Sequence, residues 1–195
     1  MSNHNSFDLA WFGPNLQGPN AYLDTPLRSV TVWASGPDYV AWNLSFTFST
    51  PIGGSISYVQ VVLRPNETCF RPILYGSVGD LAYPQGLTTV QFRGAESPYS
   101  TSTARPILTA NFMAPRTMRS TINMMTNIVP GYRLREGNRG SDGWTYYIAQ
   151  AFVQDGALNA NTMLHFDNAI QAIRNSSRAL SRAVSFPPTF GTPIL

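Results

Sequence analysis

The residue type in this chain best equipped to meet a partner is arginine. All thirteen basic residues are Arg and none is Lys. A guanidinium is a planar fork that grips phosphate or carboxylate at two points, stacks on aromatic and base faces, and is weakly hydrated. Arg174, Arg178 and Arg182 recur every four positions. On a helix turning about 100° per residue they fall on one stripe about 80° wide. No acidic residue stands three or four positions from any of them, so the stripe has no ion-pair partner within its own helix. Asn175, Ser176, Ser181 and Ser185 add small hydrogen-bonding groups beside it. Such a row suits nucleic-acid phosphates. Its structural counterpart is simpler: cations near a helix C-terminus complement the helix dipole.

A second group comprises Arg116, Arg119, Arg133, Arg135 and Arg139. Arg133 and Arg135 stand two apart, which on a strand puts them on one face. Tyr132, Trp144, Tyr146 and Tyr147 lie nearby. Arginine interleaved with aromatics is the pattern by which proteins hold single-stranded nucleic acid, although the same aromatics also serve to fill a core. The expected nucleic-acid contacts are therefore Arg174, Arg178, Arg182, Arg133, Arg135 and Arg139.

Catalytic chemistry has little to work with. The two histidines, His4 and His165, have no ligand-spaced partner, so no metal site is expected. With only these two imidazoles, a Ser–His–Asp or Cys–His arrangement has few ways to form. Gly137 to Gly143 lacks the strand–loop–helix setting of a phosphate-cradling loop. The ten carboxylates are scattered, and nothing links Glu96 or Glu136 to a second acid as glycoside hydrolysis requires. No enzyme activity and no cofactor are expected.

The elements that must position these side chains read mainly as β-structure. Val40, Trp42, Leu44, Phe46 and Phe48 alternate with Ala41, Asn43, Ser45 and Thr47, the period of a half-buried strand. Gly53-Gly54 marks a turn, and Ile56 to Leu63 follows as a β-branched strand. Further strands are predicted over Arg28–Ala34, Cys69–Gly76, Leu87–Phe92, Pro106–Met113, Ile122–Val129 and Trp144–Val153, with Glu136 to Gly143 as a hairpin connection. An amphipathic helix is predicted over 159–186. Asn159 or Asn161 caps it, Met163, Phe166, Ile170, Ile173, Leu180 and Val184 form its seam, and Pro187 stops it. The seam docks this helix on the sheet or on a second subunit. Residues 1–27 and 187–195 are punctuated by proline and read as extended arms. Arms of this kind fray unless this domain or neighbouring copies pin them.

Composition agrees with one β-rich domain over residues 28–158. Charged residues make up only 12% of 195, about half the usual ~25%. Fifteen Gly and fifteen Pro suit many turns. Cys69 is the only cysteine, so no disulfide forms within one chain. No signal peptide and no membrane-spanning run are read, which makes the Asn43, Asn66 and Asn175 sequons coincidental and the location cytoplasmic or within a virion. The expected fold is an antiparallel β-sandwich or jelly-roll-like barrel with one C-terminal helix. The expected function is a self-assembling structural protein such as a viral coat or nucleocapsid subunit. Its partners are copies of itself and RNA or another single-stranded nucleic acid, with no membrane. The alternative is a lectin-like β-sandwich stacking Trp11, Trp33, Trp144 and Tyr146 on sugars.

Overall fold

The computed structural model describes residues 7–10, 23–35, 41–54, 56–65, 86–93, 104–128 and 141–176. Strands β1 (Phe7–Ala10), β2 (Pro26–Ser35), β3 (Ala41–Ile52), β4 (Ile56–Pro65), β5 (Gly86–Arg93) and β6 (Arg105–Thr117) form one sheet in the order β1-β5-β4-β3-β2-β6. Strands β2 to β5 are an antiparallel meander, β6 lies antiparallel on the free side of β2, and β1 lies parallel on β5. The predicted strand at Cys69–Gly76, most of the N-terminal arm, and residues 177–195 with the whole C-terminal arm lie outside the described residues.

Period two decides the strands. Val30, Val32 and Ala34 of β2, Trp42, Leu44, Phe46 and Phe48 of β3, and Val59, Val61 and Leu63 of β4 are all buried in one cluster. Their register confirms a shared face: Phe46 is opposite Val30 and Val59, and Leu44 is opposite Val32 and Val61. Gly53 and Gly54, at φ 58° and 74°, turn β3 into β4, a backbone that L side chains rarely adopt.

Three helices supply the remaining core: α1 (Met118–Ile128), α2 (Ser141–Gln154) and α3 (Thr162–Ser176). Helix α2 packs on β3, while α1 and α3 pack on β6. Phe152 meets the rings of Phe46 and Phe112 edge-on, at 6.0 and 5.3 Å between centroids, and Phe166 stacks on Trp42 at 6.0 Å. The Ser141 Oγ accepts the backbone N–H of Trp42 at 2.9 Å, tying the start of α2 to the start of β3. The expected mainly β, antiparallel fold is thus present among the described residues as one sheet that does not close on itself, with helices layered on its apolar face.

Two strand predictions are corrected. Ile122–Val129 falls largely in α1 and Trp144–Val153 in α2, and the chain after 140 is helical where the hairpin required a return strand. Both segments are rich in β-branched or aromatic residues, but their buried positions keep helical spacing. These are Met118, Thr121 and Met125 in α1, and Trp144, Ile148 and Phe152 in α2. Tertiary burial of an i, i+3, i+7 stripe in α1 and an i, i+4, i+8 stripe in α2 overrides weak β-propensity.

The helix ends are specified locally. The Thr117 Oγ accepts the N–H of Ser120 and the Ser120 Oγ accepts the N–H of Thr117, a reciprocal cap that turns β6 directly into α1. Gly156, at φ 70°, closes α2, with Ala157 N–H donating to Phe152 C=O and Gly156 N–H to Val153 C=O. Before α3 the Asn159 Oδ1 accepts Asn161 N–H, and Asn161 C=O accepts His165 N–H as the cap position requires. The predicted seam holds where α3 is described: Phe166 and Ile170 are buried, Met163 and Ile173 partly so.

Candidate functional site

Of the six arginines predicted to hold phosphate, only Arg174 falls among the described residues. Arg174 lies in the last turn of α3, and Arg178, Arg182, Arg133, Arg135 and Arg139 lie outside the described residues. Two arginines from the same sequence neighbourhood are placed clearly, and both serve this chain's own carboxylates. Arg116 pairs with Asp155, donates to the Met124 sulfur at 3.2 Å and lies over the Phe152 ring at 5.3 Å from its centroid. It fastens the end of β6 to the turn after α2. Arg119 holds Asp24 through two donors at 2.7 and 3.1 Å, linking α1 to the residues just before β2. The Arg119 guanidinium draws the Asp24 carboxyl below the usual carboxylate range, chiefly through hydrogen bonding, with its charge adding to the effect.

The aromatics of that neighbourhood go inward. Trp144 is 2% exposed, and Tyr146 sits against Phe166 at 5.4 Å. Burial pushes the Tyr146 phenol up to about 12, assisted by its hydrogen bond to Asp167 and by that carboxylate's charge. The Oδ1 of Asp167 is buried with no hydrogen-bond partner among the described residues. Trp33 is half-buried, and its Nε1 donates to the Ser45 Oγ at 2.8 Å. Of the four side chains that sugar stacking would use, Trp144 therefore has no surface to offer, and Trp11 lies outside the described residues. Asn43 is buried, so its sequon is not a surface acceptor. Among the described residues no group of three His, Cys, Asp or Glu is placed to hold a metal ion. No described helix is long and apolar enough to cross a membrane.

Two surfaces remain. One is the sheet face opposite the helices, where positions Thr109, Thr31, Ser45, Gln60 and Gln91 are in register across five strands. Thr31 and Thr109 join their hydroxyls at 3.1 Å. Ser29, Thr31, Asn43, Ser45 and Gln60 are nevertheless buried, so the centre of this polar face is closed to solvent.

The other surface is the outer edge of β6, the last strand of the sheet. Its central run, Ile107 to Phe112, carries no charge, no Pro and no Gly. Met113 and Leu164, the exposed large hydrophobics among the described residues at 66% and 59%, belong to β6 and to α3 packed against it. Sequence reading found this strand but not its place at the edge. The flanking Pro106 and Pro115 were the available signal, since proline concentrates on edge strands. No family model, no curated protein and no solved structure matches the chain.

Proposed function

We propose that this chain is a self-assembling structural subunit, of the viral coat or nucleocapsid kind, that meets nucleic-acid phosphates through arginine and resides in a virion. The observation that carries the reading is the outer edge of β6, on which no strand pairs among the described residues, beside exposed Met113 and Leu164. A sheet edge is a template for another chain, and monomeric proteins usually blunt it with charge, proline or a covering element. The charge distribution adds the second half. Beyond Asp167 the chain holds Arg174, Arg178 and Arg182 and no acidic residue. Arg116 and Arg119 are held by carboxylates, so neither is assigned the phosphate role proposed for Arg174, Arg178, Arg182, Arg133, Arg135 and Arg139.

The test is light-scattering mass on size exclusion with absorbance at 260 and 280 nm on the same peak. The expected result is a multi-subunit particle with excess 260 nm absorbance that falls as salt rises. Replacing Arg174, Arg178 and Arg182 with Gln is expected to reduce that excess. A monomer free of nucleic acid overturns the proposal.

A further inference from the structure

We propose that two copies of this chain join through the outer edge of β6, antiparallel about a two-fold axis near Ala110, so that the two six-stranded sheets become one. The inference rests on the self-assembly reading above and names the surface and the partner.

Three observations select this edge and this occupant. First, β6 ends the sheet, and among the described residues no strand pairs with its outer side. Ile107 to Phe112 offers about 20 Å of extended backbone at ~3.3 Å per residue. An uncharged run of this length on an edge, apolar on one face, is an association hazard unless it has a defined partner. Second, the run is bounded. Pro106 precedes it, and at Met113 the backbone N–H is already donated to Ala157 C=O at 2.9 Å, with Pro115 beyond. A short strand stopped at both ends accepts one partner of matching length and resists open-ended stacking.

Third, the run is complementary to itself. A two-fold axis normal to the sheet preserves faces, so directly opposed residues must share a face. Centred on Ala110, the axis pairs the run from Leu108 to Phe112 of each copy, short of the occupied Met113 N–H, with Leu108 opposite Phe112 on the apolar face and Thr109 opposite Asn111 on the polar face. The small Ala110 side chains meet at the axis, where two bulky residues would collide. Phe112 already stacks on Phe46 at 6.4 Å, so the joint core continues across the junction. Arg105 falls opposite Pro115, so no arginine opposes another. Helix α3, packed beside β6 in each copy, would bring Leu164 towards the same junction.

The experiment uses the full chain in three forms. Wild type is expected to show a mass that is an even multiple of the subunit by light scattering. Asn111→Lys places a charge on the exposed edge and is expected to lower that mass at least two-fold with an unchanged circular dichroism spectrum. Ala110→Cys in a Cys69→Ser background is expected to give a disulfide-linked dimer on mild oxidation, a readout that stands even where the lysine variant misfolds. An assembly whose mass ignores Asn111→Lys, and whose Ala110→Cys form does not cross-link, overturns the β6 junction and leaves self-assembly standing. A wild-type monomer at tens of micromolar overturns both.

Discussion

Strands β2, β3 and β4 send Val30, Val32, Trp42, Leu44, Phe46, Val59 and Val61 to one side of the sheet, and Thr31, Asn43, Ser45 and Gln60, with Trp33, Tyr58 and Val62 among them, to the other, and the centres of both sides are buried. The apolar side is held by volume: rings and branched chains interlock with three helices, and a lost side chain leaves a cavity. The polar side is held by direction, through bonds such as Trp33 to Ser45 and Thr31 to Thr109. Burial alone therefore does not rank positions for stability. A buried position whose neighbours fill space differs from one whose neighbours satisfy a hydrogen bond.

The largest effect is expected at Phe46, which is fully buried and packs against the rings of Phe112 and Phe152. Phe46→Ala should cost about 3–5 kcal/mol, read as a lower denaturant midpoint at unchanged slope. A loss under ~1 kcal/mol would erase the distinction between the two sides.

Next comes a polar pair on the helix-covered side. Tyr146→Phe removes the donor to Asp167 and should cost about 1–2 kcal/mol. Because the Tyr146 phenol is raised to about 12 from 10.0, its protonated form is favoured by folding. The stabilisation is complete below pH 10 and disappears as pH climbs from there through about 12. A difference titration of tyrosinate absorbance between wild type and Tyr146→Phe should show one late-titrating phenol, and a phenol titrating near 10 would refute the assignment.

On the polar side, Trp33→Phe keeps an aromatic ring and removes the Nε1 donor to Ser45, so a loss of about 1 kcal/mol is expected. A loss matching Phe46→Ala would mean that this face too is held by volume.

The smallest effect belongs to the exposed Asp24–Arg119 pair. Folding lowers the Asp24 carboxyl, so its contribution is present above the ordinary carboxylate range and lost as pH falls through the lowered value. Arg119→Gln should flatten the acid limb of the stability curve slightly, and about 1 M salt should hide the difference. A difference that persists in salt would show that the pair is not solvent-screened.

What could be read beforehand follows the strength of local pattern. Strand β3 was legible because its alternation placed the right residues on each side, β4 because it is a β-branched run after Gly53-Gly54, and α3 because Met163, Phe166, Ile170 and Ile173 keep helical spacing. Helix α2 was not. Its Trp, Tyr, Ile, Phe and Val favour strands one by one, and only Trp144, Ile148 and Phe152 taken together betray its period. Helix α1 hid similarly, its start marked by a Thr117–Ser120 cap in place of the familiar Ser/Thr-to-Glu pair. The β6 edge lay beyond local reading altogether, because strand order depends on which distant segments pair. The six arginines expected from sequence to meet phosphate remain a matter of sequence, with five of them outside the described residues.

The pairing of β2 with β6 has a consequence for the newborn chain. Thr31 and Thr109, bonded in the finished sheet, are 78 residues apart in sequence, whereas β2, β3 and β4 follow one another through short connections. At ordinary rates of synthesis the early hairpins leave the ribosome seconds before β6 does. During that interval the flank of β2 is bare, and its Val30 and Val32 have only one neighbouring strand. Crowded polysomes making this chain are where mispairing between nascent copies should first be seen, and a chaperone that shields β2 until residue 117 has emerged should raise the yield.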